Sequence, residues 1–215
     1  MLLARRSLRS TSTFRRALST MIKVGDTFPT APSVQIKFKE NHTMGSLIEG
    51  KKVLIVTLPG AFTPTRSTCQ VPGLKAAEID GRLEESDIDK VLVMCVNDAA
   101  VMQAWKKDQG LLQSEYIEFI ADKDADVTNA CGLKLTGKDA TFHDGTPIAQ
   151  FDGPNNALGM NSNRCKRTAI YVDGGVVKAM GISAGPGPAG EKDPAGDDFP
   201  EASCIEAMLE KIKAL

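Results

Sequence analysis

Two nearly uninterrupted apolar runs, Val53 to Leu58 and Val91 to Val96, do most to limit what this chain can fold into. Both are rich in β-branched residues, so each reads as a strand covered on both faces rather than one with a wet side. Tyr116 to Ala121 is a third such segment. Between them, Leu74 to Leu83 and Ala99 to Lys107 carry apolar residues at helical spacing. Strand and helix in alternation imply right-handed crossovers and an α/β fold, a central sheet with helices on its faces.

The flanking segments extend this plan. Ser33 to Phe38 alternates apolar and polar residues, as a half-exposed strand does, and precedes Asn41-His42 as a turn and Met44 to Ile48 as a short helix. Arg167 to Val172 and Val176 to Met180 form a β-hairpin around Asp173-Gly174-Gly175, because Asp-Gly tolerates the positive φ of a tight turn. The antiparallel pair makes the sheet mixed. Ala202 to Leu215 closes the chain as an amphipathic helix, with Ile205, Met208, Leu209 and Ile212 on one side. Gly137 to Asn163 and Ser183 to Pro200 are rich in Gly, Pro, Asn and Asp and read as mobile surface loops.

The length, 215 residues, suits one domain after a short leader. Residues 1–20 hold five arginines, seven Ser/Thr and no acid, whereas the other 195 hold 21 basic and all 27 acidic groups. The near-neutral total therefore divides into a leader of +5 and a body of −6. Arginines interleaved with Leu2, Leu3, Leu8, Phe14 and Leu18 can form a basic amphipathic helix, the pattern of a mitochondrial transit peptide. The alternatives are a plastid transit peptide or a basic tail on a cytoplasmic protein. The expected organisation is thus a transit peptide over 1–20 and one domain over 21–215. A body of this charge has nothing to spare for a phosphate backbone, which argues against nucleic-acid binding. No apolar run approaches the roughly 20 residues of a membrane-spanning helix.

Five cysteines, Cys69, Cys95, Cys131, Cys165 and Cys204, lie scattered without a C-x-x-C, so neither a disulfide framework nor a zinc site is signalled. His42 and His143 are the sole histidines and fall in polar turn or loop sequence. No metal and no other cofactor is expected.

The chemistry concentrates after the first buried run, in Pro59-Gly60-Ala61-Phe62-Thr63-Pro64-Thr65-Arg66-Ser67-Thr68-Cys69-Gln70-Val71-Pro72-Gly73. A strand feeding a Gly/Pro turn and a hydroxyl-rich helix start gathers free backbone N–H groups at one spot. Such a spot holds anions and favours the thiolate of a nearby cysteine.

These residues, with Lys23-Val24-Gly25-Asp26, Val96-Asn97-Asp98, Trp105 and Arg164-Cys165-Lys166-Arg167 before the Asp-Gly hairpin, resemble the peroxiredoxin 5 family (type II, atypical two-cysteine) across residues 22–215. The resemblance implies a thioredoxin-like fold and reduction of hydrogen peroxide and alkyl hydroperoxides. A peroxidatic cysteine would become a sulfenic acid and be reset through a disulfide, with thioredoxin or glutaredoxin/glutathione as reductant. Members often form homodimers. By the same resemblance, Thr63 matches the hydroxyl that orients peroxide and thiolate, Pro59 the shielding proline, and Arg164 the arginine that polarises the O–O bond. Cys204 falls approximately where animal members carry a resolving cysteine, and reads alternatively as a packed residue at the start of the last helix.

One position departs from the pattern. The family's peroxidatic cysteine falls on Arg66, and the histidine that usually follows falls on Gln70. A guanidinium cannot form a sulfenic acid. Cys69 is the available substitute: on a helix it lies roughly 5–6 Å from position 66, where Arg66 would favour its thiolate. It reads equally as a small structural helix residue. Cys95 reads as core, and Cys165, flanked by Arg164, Lys166 and Arg167, reads as structural or electrostatically activated. Arg164 and Arg167 read alternatively as strand-end surface charges. Two functions remain open, a divergent thiol peroxidase and a non-catalytic protein of the same fold. In the second, Arg66 and Arg164 form an anion-binding pocket or the protein acts as a redox sensor or partner.

Overall fold

The computed structural model describes residues 20–63, 70–137, 140–142, 145–147, 163–183, 185–186, 189 and 192–215. Nearly all of the leader, together with Arg66, Cys69 and His143, lies outside the described residues.

Among the described residues, seven strands form one mixed sheet in the order β2-β1-β5-β4-β3-β6-β7. They are β1 (Ser33–Gln35), β2 (Asn41–Thr43), β3 (Lys52–Leu58), β4 (Lys90–Cys95), β5 (Ile117–Ala121), β6 (Thr168–Asp173) and β7 (Val176–Ile182). β4 runs parallel to both β3 and β5, while β6 is antiparallel to β3 and to β7. A small ladder pairs β8 (Gly185–Pro186) with β9 (Lys192–Asp193). The helices are α1 (Met44–Ile48), α2 (Val71–Ile79), α3 (Arg82–Glu85), α4 (Ala99–Asp108), α5 (Asp126–Ala130) and α6 (Ile205–Lys213), the last preceded by a 3-10 turn, Glu201–Ser203.

The period-2 geometry of a strand makes β3 and β4 feed two cores at once. Leu54, Val56, Leu58, Val91, Val93 and Cys95 pack with α2, α4 and α6 residues such as Leu74, Trp105 and Met208. Val53, Ile55, Leu92 and Met94 face the other way onto Met44, Ile48, Val127 and Cys131. Each such aliphatic side chain contributes on the order of 1.5–3 kcal/mol by leaving water, and this two-sided burial is why both runs are apolar throughout.

The sequence expectations differ from the structure in local ways. Asn41-His42 belongs to β2, and the chain reverses earlier, at Lys39, which takes a φ of 64°. The helix expected over 74–83 divides into α2 and α3 at Gly81, whose φ of 81° no helix accommodates. In the segment 183–200, expected to be a mobile surface loop, the described residues 193–199 are folded back: Asp193 and Ala195 are buried, and the Asp193 carboxylate accepts from the amides of Asp197, Asp198 and Phe199 at 2.9–3.0 Å. That carboxylate caps the turn internally, a role of Asp that composition does not reveal.

Candidate active site

The turn after β3 sits at the carboxyl ends of the parallel strands, where α/β sheets open their crevices. Pro59 and Gly60 are buried, and Thr63 is half-buried with its Oγ1 donating to the Gly60 carbonyl at 3.2 Å. Phe62 holds a φ of 57°, an uncommon conformation for a bulky residue. Neighbours fix it there: the Ala61 amide donates to Asn97 Oδ1 at 3.0 Å, and the Phe62 ring lies 6.4 Å from that of the buried Trp105. Trp105 in turn meets Phe119 edge-on at 5.0 Å.

Arg164 braces the same turn. Its Nη1 donates to the Val96 carbonyl at 2.9 Å and lies 3.3 Å from where a Cβ on Gly60 would stand, so a side chain there would press on the guanidinium. Its Nε is buried without a hydrogen-bond partner among the described residues. An open polar cleft of about 310 Å3, lined by Asn97, Asp98, Lys123, Asp124, Asn163 and Arg164 among others, adjoins it.

A second guanidinium reaches the start of α2. Arg167 is fully buried; its Nη1 donates to Gln70 Oε1, its Nη2 pairs with Asp197, and its Nε donates to the Ala195 carbonyl at 3.2 Å. Burial pulls its pKa below the ordinary arginine range, opposed by Asp197, Asp193 and Cys204. Gln70, 2% exposed, completes the link by donating from Nε2 to Ser203 Oγ at 2.8 Å. Cys204, half-buried at the N-cap of α6, donates from Sγ to the Pro200 carbonyl at 3.4 Å and lines one narrow gap with Gln70.

A family model described as Redoxin matches residues 23–198. A peroxiredoxin of Rhizobium etli is 31% identical over 170 residues, covering 78% of this chain and 82% of that protein.

The chain belongs to the redoxin family, in its peroxiredoxin branch.

Another relative, chloroplastic peroxiredoxin-2E of Arabidopsis thaliana, is 35% identical over 143 residues, 66% of this chain and 52% of that protein. The chain therefore spans about half the length of that curated relative. Among solved structures, a reduced peroxiredoxin, Prx3 of Vibrio vulnificus, in complex with hydrogen peroxide is similar with a TM-score of 0.64 and 29% identity, covering 89% of this chain and 99% of that one.

In this redoxin, the expected site residues Pro59, Thr63 and Arg164 gather around one turn, and Cys204 lines a narrow gap with Gln70. Cys95 is core. Cys165 is not activated by its basic neighbours: burial dominates and pushes its thiol up to about 12. Burial raises Cys131 as well. His42 contacts Glu40 at 3.0 Å, away from the turn.

Two contributors escaped the sequence reading. Asn97 was legible only as part of a motif, not as the acceptor that pins Ala61. Arg167 read as a possible surface charge, yet a cation running directly into the apolar strand Thr168–Val172 beside β3 is placed to be buried, and that adjacency was the available signal.

Proposed function

We propose that this protein is a thiol-dependent peroxidase acting on hydrogen peroxide and alkyl hydroperoxides, with Cys69 as the attacking thiol. The observation that carries the reading is the anchoring of Gln70, the residue after Cys69, between the Arg167 guanidinium and Ser203, with Cys204 lining the same gap. The Cys69 thiolate attacks the terminal peroxide oxygen, the O–O bond breaks, and the alkoxide or hydroxide takes a proton, giving a sulfenic acid and an alcohol or water. Thr63 orients the peroxide, Pro59 keeps water from the turn, and Arg164 supplies charge on the Gly60 side. Arg66 and Arg167 favour the thiolate. Cys204 then attacks the sulfenic sulfur, releasing water and forming a disulfide that thioredoxin or glutaredoxin/glutathione reduces. A homodimer is the assembly expected of such an enzyme.

Stopped-flow peroxide reduction by the wild type and Cys69→Ser tests the reading. A second-order rate far above that of free cysteine, abolished in Cys69→Ser, is expected; a wild type no faster than free cysteine refutes it. The unpartnered Arg164 Nε gives one reason to consider the non-catalytic reading, in which an anion occupies the site; phosphate binding with no peroxide turnover would favour it.

The basic leader is read as an organelle-import segment. Its amphipathic arginine pattern suits a mitochondrion, while the chloroplast location in the name of the Arabidopsis relative supports the plastid alternative.

A further inference from the structure

Ser183 and residues 193–200 have no part in the peroxidase scheme, yet they are fastened to the start of α2 through buried polar atoms. Ser183 Oγ lies 2.9 Å from the Pro200 carbonyl and 2.8 Å from Ser203 Oγ, and Ser203 Oγ accepts from Gln70. Gly196, with a φ of 67°, lies so close to Ser183 that a Cβ would approach its carbonyl carbon to 2.6 Å. The segment thus closes on itself and presents Asp197 to Arg167.

Arg167 cannot find another partner without cost. Its side chain is fully buried; among the described residues its donors are satisfied by Gln70, Asp197 and Ala195, and an unpaired buried charge is strongly destabilising. Asp197, by contrast, keeps 41% of its side chain exposed and is carried on a turn whose amides the Asp193 carboxylate organises. The carboxylate is the solvent-facing end of a relay whose inner end is Gln70.

We propose that Asp197 is a positioning residue: by holding the Arg167 guanidinium on Gln70, it makes order in residues 193–199 a condition for order at the start of α2. A disturbance of that segment, by a partner or a modification, then reaches the reactive turn without touching it. The kinetic consequence rests on the peroxidase reading; the structural coupling does not.

Hydrogen exchange on the full chain separates the two. In Asp197→Asn, amides of residues 70–74 should exchange about tenfold faster together with those of 193–199, the loss expected of one charge-assisted hydrogen bond. Asp197→Glu should restore protection, and Asp198→Asn, whose side chain is exposed on the same turn, should leave it unchanged. The pH profile of Cys204 alkylation, followed by mass spectrometry of its peptide, should move to lower pH in Asp197→Asn: Asp197, Asp193 and Cys204 face Arg167, and removing one carboxylate leaves more of the guanidinium charge for the Cys204 thiolate. Unchanged exchange at 70–74 in Asp197→Asn, or an equal effect of Asp198→Asn, overturns the proposal. A wild type without peroxidase activity would overturn only the catalytic reading and leave the exchange result decisive.

Discussion

The Ala61 amide donates to the side-chain oxygen of Asn97 over 3.0 Å, tying the turn after β3 to the end of the neighbouring parallel strand β4. This bond helps to hold a turn whose next residue, Phe62, sits at positive φ. Asn97→Ala leaves the Ala61 amide without its acceptor and frees that strain. The expected stability loss is about 1 kcal/mol, the ordinary net worth of a hydrogen bond, since the Ala61 amide is only partly buried. Because misplacement by about 1 Å at a reacting centre can cost a hundredfold, peroxide turnover should fall by more than stability alone explains. Chemical denaturation and stopped-flow kinetics on the same preparation check both.

The described thiols should separate sharply in reactivity. Cys95, Cys131 and Cys165 are fully buried, and Cys204 is the half-buried exception. At pH 8, Ellman's reagent should modify Cys204 in the native protein and leave the other three until the chain unfolds; mass spectrometry identifies the sites.

The same burial has a pH consequence. The Cys165 thiol, ordinarily near 9.0, is pushed up to about 12, so the native state retains a proton that the unfolded chain releases. Its contribution is complete below about 9 and lost as pH rises from there towards 12. Urea midpoints measured between pH 8 and pH 11 should decline, and Cys165→Ala should flatten the decline. A slope identical to that of the wild type would contradict this assignment.

How far the sequence discloses the molecule depends on whether a residue's partners are near it in the chain. The β3 and β4 runs announce a two-faced sheet because burial on both sides leaves no room for polar residues, and the Asp173-Gly174-Gly175 hairpin announces itself through the local φ its turn needs. Pro59 and Thr63 were legible from a contiguous motif. Arg167 and Asp197 were not, because their meaning lies in a contact across 30 residues that exists only once residues 193–199 have folded back. Composition rich in Gly and Pro suggested motion there, while one buried carboxylate, Asp193, supplies the order.

Gly181 tests how α6 is seated. It lies in β7, and a Cβ there would fall 1.9 Å from the Ala202 carbonyl oxygen, a backbone atom that cannot yield without moving the whole 3-10 turn. Gly181→Ala should therefore destabilise the protein by about 1–3 kcal/mol or more through overpacking. It should also displace Ser203 from Gln70, so a lower Tm should accompany weaker protection of the first amides of α2. A melting temperature unchanged by the substitution would show that the turn shifts freely.

The arginine at position 66 provides the sharpest test of the site. In the peroxiredoxin 5 family the resemblance places a reactive cysteine there, three residues after Thr63, while this chain keeps Thr63, Pro59 and the braced Gly60 turn. If those groups still form a peroxide site, its geometry was built for a thiol at 66 and serves Cys69 less well. Arg66→Cys in a Cys69→Ser background should then reduce hydrogen peroxide at least about tenfold faster than the wild type, since orientation at the reacting atoms dominates such rates. A double variant slower than the wild type would mean that the turn has re-formed around Cys69, and that Arg66 is an integral part of the site rather than a replacement within it.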